Sequence, residues 1–292
     1  MLKGRMSAGD RAFMIFDYTI ITLFLVATLY PFVFVISASV SDPTALGRGE
    51  VWLWPVGLQF NSYKRVLGDP QIWTSYYNTI WYVVVGTAIN LFLTTVTAYP
   101  LSRRYFSGRG KVMMFVAFTM FFSGGMVPTY LLVKSLGLMN TRLAVVLPVA
   151  ISTWNMIIMR TFFEGIPVEL EEAAKIDGEN DLGILARIMI PLSKPVIAVM
   201  VLFYAVGHWN SWFNAMLYIN DTDKNPLQIL LRKILIQFDQ NTIMADVQLG
   251  QDMIGQSIRY ATIMVSTLPI LCAYPFLQKY FVKGVMIGAI KG

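Results

Sequence analysis

The chain of 292 residues is 56% Ala, Val, Ile, Leu, Met, Phe, Trp, Tyr and Cys but only 14% Asp, Glu, Lys and Arg, with mean hydropathy +0.58 and formal net charge +6. Soluble domains carry about 25% charged residues, so this composition excludes a disordered chain, a basic nucleic-acid-binding tail and an ordinary cytosolic enzyme; it points to a polytopic membrane protein. One cysteine, Cys272, excludes an intramolecular disulfide and a cysteine metal cluster, and one histidine, His208, excludes an HExxH zinc site.

Residues 1–12 are polar, and the apolar stretch after them is too long for a signal h-region. A crossing helix needs roughly 20 apolar residues. Phe13–Ser39 carries a single charge, Asp17, while Ile72–Ser102, Val112–Val133, Leu143–Met159, Pro195–Ile219 and Tyr260–Leu277 carry none. Backbone groups in lipid must be bonded internally, and the runs lack the alternation of a barrel strand. An all-α, polytopic membrane protein with six transmembrane helices is therefore predicted, as one transmembrane domain over 1–292. Trp73, Tyr76 and Tyr77 suit the membrane interface. Ser123–Pro128 interrupts the third run with Gly and Pro, which allows a kink or a broken helix.

Basic residues favour the cytoplasmic side. Six crossings bring Lys3, Arg5 and Arg11 to the same side as Arg103, Arg104, Arg109 and Lys111, as Arg160, Lys175, Arg187 and Lys194, and as Lys279, Lys283 and Lys291. Both termini, 1–12 and the tail 279–292, are accordingly expected in the cytoplasm. Val40–Tyr76 and 220–259 fall outside, and within the latter Leu227–Phe238 reads as an amphipathic helix lying on the outer surface.

The segment 160–194 is the most specific. It contains EGIPVELEEAAKIDGENDLGILARIMIPLSKP, Glu164 to Pro195. Pro167 suits a first helical position, and Glu169, Glu171 and Glu172 suit the positive end of a helix dipole. Gly178 can end that helix in the left-handed conformation. Asn180 or Asp181 can cap a second helix, stopped by Pro191. Two short helices joined at Asp177–Gly178 follow. They form either a solvated acidic connector or a rigid knob for a cytoplasmic partner.

Glu172-Ala173-Ala174, Gly178, Ile188 and Pro191 fall at spacings that resemble the "EAA" loop of permease subunits in bacterial binding-protein-dependent ABC importers, with Ile190 where that pattern has Leu. The resemblance covers nearly the whole chain. TMFFSGGMVPTYLLVKSLGLMNT (119–141), IIMRTFF (157–163), FYAVGHWNSWFNA (203–215) and YPFLQKYFVKGVMIGAIKG (274–292) resemble permeases for complex oligosaccharides, alginate among them, in the branch that includes the maltose permeases. The resemblance implies a type I ABC importer permease fold in the inner membrane. It implies a second permease subunit, two ATPase subunits carrying ATP and Mg, an external solute-binding protein and a carbohydrate substrate. No GxxxxGK[ST] occurs, so this chain is expected to bind no ATP and to be non-catalytic. The ATPase contact implied by the resemblance comprises Glu171, Glu172, Ala173, Ala174, Asp177, Gly178, Ile188 and Pro191.

Polar residues inside spans are expensive and often functional. In the fifth run Trp209, Asn210, Trp212 and Asn214 offer stacking faces and amides suited to a glycan pathway, with Asn210 and Asn214 on one helical face. Asn90, Thr94, Asn155 and His208 are further polar residues in spans; interhelical hydrogen bonding is the plainer use for all of these. A secondary transporter, the alternative, would need a coupling ionisable group, and only Asp17 and His208 are available.

Overall fold

A computed structural model describes residues 8–244 and 255–272. Their contacts group into two compact units, Met1–Asp69 with Leu231–Thr267 and Pro70–Leu230 with Leu268–Gly292. Among the described residues all regular structure is helical. The tail 279–292, with Lys283, lies outside the described residues, as does the end of the run Tyr260–Leu277.

The first unit holds α1 (Ala8–Ser39), α2 (Pro43–Gly47) and α3 (Asn61–Gly68), together with residues 255–267 of a helix over 255–272. Phe13, Phe16, Phe24 and Phe32 of α1 stay exposed, as lipid allows. Ala38, Leu46 and Val51 are buried together, with Phe34 edge-on to Tyr260 at 5.6 Å. The stretch after α1 folds back on its end: Ser37 Oγ donates to the Leu53 carbonyl at 2.7 Å, and Gln59 Nε2 donates to Asp42 Oδ1 at 2.7 Å. Gly57, at φ +66°, closes this loop where a Cβ would lie 3.0 Å from that of Asp42.

The second unit is organised on α4 (Pro70–Ser102), 33 residues long. It is followed by α5 (Arg109–Phe121), α6 (Met126–Ser135), α7 (Leu143–Val146), α8 (Thr153–Glu164), α9 (Glu169–Ile176), α10 (Asp181–Ile184), α11 (Ile190–Leu192), α12 (Lys194–Trp209), α13 (Phe213–Tyr218) and, as far as Leu230, α14 (Leu227–Met244). α4 packs on α8 and α12. Tyr99, Met156, Met159, Phe163, Met189, Met200 and Tyr204 fill the largest core cluster.

Two helices, Gly9–Ser39 and Pro70–Ser102, are long and apolar enough to cross a membrane. Three further stretches are bent helix pairs, the interruption expected at Ser123–Pro128 among them, and counting each pair as one crossing gives up to five among the described residues. Val112–Val133 turns by 113° between α5 and α6, where Gly125 takes φ +86°. Leu143–Met159 turns by 55° before α8, whose first N–H groups are capped by Ser152. α12 is joined at 84° to Asp181–Leu192. It ends at Trp209: the Asn210 N–H still reaches the Val206 carbonyl at 3.1 Å, joined there by the Asn210 Nδ2 at 3.0 Å, and the Ser211 N–H turns to the His208 carbonyl at 3.2 Å, a tighter turn that does not continue the helix. Asn210 and Asn214 therefore do not share a helical face. The predicted surface helix also differs: Leu227, Ile229 and Leu230, at the start of α14, are buried, and Leu227 N–H donates to Thr79 Oγ1 at 2.8 Å.

The break before α8 frees backbone carbonyls, and Asn90 satisfies them. Its Nδ2 donates to Val149 and Ala150 oxygens, both at 2.8 Å. With its amide hydrogens spent, Asn90 Oδ1 must accept, so His208 Nε2 carries a proton and donates to it at 2.6 Å. The ring lies against Gly86, where a Cβ would sit 2.5 Å from Nε2. Thr94 and Tyr204 hydroxyls meet at 2.7 Å one turn further on. Thus Asn90, Thr94 and His208 join α4 to α12.

At the other end of α4, Asn78 Nδ2 donates to Asp223 and Asn225 oxygens at 2.7 and 3.2 Å, and Tyr82 donates to the Lys224 carbonyl at 2.9 Å. The Asp223 N–H, and after it Lys224, hold the exposed Asp221 carboxyl below its ordinary pKa of 3.8. A lowered carboxylate pKa contributes stability above the unfolded value that is lost as pH falls through the folded value. The protection factor of the Asp223 amide, its exchange rate relative to the intrinsic rate at the same pH, should therefore hold on acidification to about pH 4 and fall below it. Asn90→Leu leaves the two carbonyls unpaired and takes from His208 its Asn90 acceptor, at about 1–3 kcal/mol for each buried orphan. A lowered melting temperature in detergent is the expected result, and Gly86→Ala should act in the same direction.

Candidate functional site

The segment 164–195 forms the predicted pair of short helices, with two differences. α9 begins at Glu169, two residues beyond Pro167. The second helix runs through Pro191 to Leu192, because a π turn over Leu185–Met189 shifts the hydrogen-bond ladder that Pro191 would otherwise break. α9 ends in a Schellman motif: Gly178 N–H bonds to the Lys175 oxygen at 3.1 Å and Glu179 N–H to that of Ala174 at 2.9 Å. Gly178 has φ +83°, with open space where a Cβ would point. Asn180 then caps the next helix, accepting from Gly183 N–H at 2.8 Å.

α9 has two faces. Glu171 is 2% exposed and Ala174 7%, so both point inward. Glu172, Ala173 and Asp177 are exposed, and Ile176 is 86% exposed. This divides the predicted contact. Glu171 and Ala174 anchor the helix, because their side chains are consumed inside; Glu172, Ala173, Ile176 and Asp177 remain on the outside. Ile188 is half-buried in the π turn and packs on the core, while Pro191 is exposed on the following turn.

Glu171 is held by a residue that the sequence reading left as a topology marker. Arg103 Nη1 lies 3.2 Å from Glu171 Oε2, with both side chains at least 95% buried. Arg103 Nη2 donates to the Phe163 carbonyl at 2.9 Å, and its guanidinium covers the Tyr99 ring at 5.3 Å. Tyr99 donates to Glu171 Oε1 at 3.4 Å, and Lys175 Nζ approaches the same oxygen at 3.1 Å. Conversely, Arg160 Nε on α8 donates to the Leu101 carbonyl of α4 at 2.9 Å. α4 and α8 thus cap each other's C-terminal carbonyls with arginine, where the helix dipole favours a cation. Lys175 also stacks on Tyr105 at 3.9 Å. Burial, then the nearby Glu171 carboxylate, push the Tyr105 hydroxyl well above the ordinary tyrosine value, so it serves as a neutral donor. Beside α9 opens a cleft of about 930 Å³, with Arg104 and Arg109 on one wall and Glu169 and Glu172 on another.

The predicted pathway residues are spread out. Trp209 ends α12 half-buried, and Asn210 is exposed. Trp212 packs on the Tyr82 and Val145 cluster, edge-on to Phe213 at 5.5 Å. Asn214 donates to the Val145 carbonyl at 3.4 Å and lines a cavity of about 290 Å³ with Ser123, Gly125, Thr129 and Tyr218. That cavity joins Asn214 to the glycine break of the third run.

Breaking a buried ion pair by removing one partner costs about 3–5 kcal/mol, whereas replacing both by apolar groups is often neutral. Arg103→Met or Glu171→Leu alone should lower the melting temperature sharply, and the double variant should recover most of the loss. Gly178→Val meets no steric obstacle, so its expected effect is backbone strain confined to the tip, of about 1–3 kcal/mol, read as faster amide exchange at Gly178 and Glu179.

Residues 95–287 match the family described as binding-protein-dependent transport system inner membrane component. Protein LplC of Bacillus subtilis is 47% identical over 265 residues, covering 91% of this chain and 90% of the relative. The polygalacturonan/rhamnogalacturonan transport system permease protein YtcP of the same organism is 43% identical over 284 residues, covering 97% and 99%. Among solved structures, a chain of a bacterial ABC transporter involved in the import of the acidic polysaccharide alginate superposes with a TM-score of 0.87 at 36% identity, covering 96% of this chain and 100% of that one. With these matches and the EAA-type loop on α9, the chain belongs to the inner membrane components of binding-protein-dependent transport systems.

Proposed function

We propose that the chain is one of two related permease subunits of an ATP-driven oligosaccharide importer, alginate-like and galacturonan-like polymers included. It crosses the membrane six times with both termini in the cytoplasm. The outer face of α9 docks on one of two ATPase subunits, which carry the ATP and Mg, and an external binding protein delivers the sugar. Trp209, Trp212 and Asn214 lie near the pathway, with the cavity at the Ser123–Gly125 break as its polar edge.

The observation that carries this reading is the division of α9. Ile176 stands almost fully exposed among Glu172, Ala173 and Asp177, while Glu171 on the opposite face is locked to the end of α4. An exposed apolar residue at the tip of a rigid, capped helix suits insertion into a cleft on a partner. ATP binding moves such a helix only if the two ATPase conformations hold it with different affinity.

Affinity purification of this chain from gently solubilised membranes, followed by mass spectrometry, tests the assembly. A Walker-motif ATPase and a second permease are expected; a chain that purifies alone would overturn the reading. Ile176→Asp places a charge in the docking contact and should weaken ATPase retention about tenfold or more, the scale of an interface hot spot. Pull-down yield against wild type measures it.

A further inference from the structure

Arg142 stands apart from the other described cations. Its guanidinium carbon lies 5.5 Å from the ring centroids of both Tyr77 and Trp81, successive rungs on one face of α4. Nη2 donates to Asn78 Oδ1 at 2.8 Å. Asn78 is itself fixed, since its Nδ2 donates to the Asp223 and Asn225 carbonyls. Arg142 Nε is buried without a partner. Asp221 is near enough to feel the charge, but Lys224 holds its carboxylate at 3.2 Å. The arginine is half-exposed and Tyr77 is 60% exposed. The result is an oriented cation flanked by two aromatic faces, with no carboxylate of the described chain in ion-pair contact.

We propose that Arg142, Tyr77 and Trp81 form a subsite for a uronate unit of an acidic oligosaccharide. The guanidinium donates to the carboxylate in a charge-assisted pair, held in place by the two rings, and the exposed Tyr77 lies beside the sugar. The subsite rests on the reading of the chain as an oligosaccharide permease and adds a charge preference to it. Aromatic residues at this depth also serve as an interfacial belt, but a belt needs no guanidinium held between its rings by a fixed asparagine. The site lies about 35 Å along α4 from Arg103, at 1.5 Å per residue, at the end of that helix remote from α9.

The test uses the purified assembly of this chain with its partners, without the binding protein. Trigalacturonate and its methyl ester are the probes, read by saturation-transfer difference NMR. Wild type should bind the acid and not the ester. Arg142→Gln keeps a donor for Asn78 and should weaken trigalacturonate binding at least about tenfold, the range for loss of a charged hydrogen bond, with an unchanged melting temperature. Arg142→Lys, which keeps the charge without the fork, should fall between them. Equal binding of acid and ester, undiminished binding by Arg142→Gln, a lowered melting temperature, or displacement of trigalacturonate from wild type by anionic lipid, with a lipid-induced rise in melting temperature that Arg142→Gln lacks, would each overturn the subsite; the last would assign Arg142 to a lipid phosphate. Uptake into proteoliposomes with the binding protein restored separates the two readings. A wild type that imports no saccharide, maltotriose included, removes the permease reading itself, whereas normal uptake with no preference for the acid removes only the subsite.

Discussion

The second unit depends on the buried pair Arg103–Glu171. A charge removed from water costs several kcal/mol unless a partner and further hydrogen bonds compensate it. Arg103 meets much of that cost with Glu171, the Phe163 carbonyl and the Tyr99 ring, and Glu171 with Arg103, Tyr99 and Lys175, while Arg103 Nε and Glu171 Oε2 are left without a hydrogen bond. These contacts end on three elements, Tyr99 on α4, Phe163 on α8 and Glu171 with Lys175 on α9, so the one ion pair ties the ends of α4 and α8 to the inner face of α9. α9 then projects its remaining residues from a fixed base.

α4 carries this constraint along its length through side chains that are polar in an apolar sequence. Asn78 binds the turn before α14, Asn90 binds the break before α8 and the His208 ring, and Thr94 binds Tyr204. Lipid supplies no alternative partners for such groups, so each amide is committed to a particular neighbour. The helix is a spine whose two ends bear the two proposed sites, α9 at one and Arg142 at the other.

Much of the loop 164–195 was legible because its signals are local. Gly178, Asn180 and the glutamates of the first turn act within a few residues of themselves, and the spacing of Glu172, Ala173, Ala174 and Gly178 indicated the family. The division of that motif into an inner and an outer face was not legible. Glu171 and Glu172 are adjacent and chemically identical, and only the position of Arg103 decides which is buried. Asn210 shows the same limit: its run has helical spacing throughout, yet the helix ends at Trp209 and a separate short helix starts at Phe213.

The sequence by itself determined the class: too few charges for a soluble domain, apolar runs long enough to cross lipid, and a loop of recognisable spacing between two of them. These follow from composition and short-range order. Tertiary structure alone decided where the runs bend, which arginine neutralises Glu171, and that Arg142 stands between two rings with no acid of the described residues bound to it. Those outcomes depend on which groups meet across long separations in the chain, and a buried or half-buried charge takes its meaning from the atoms that face it.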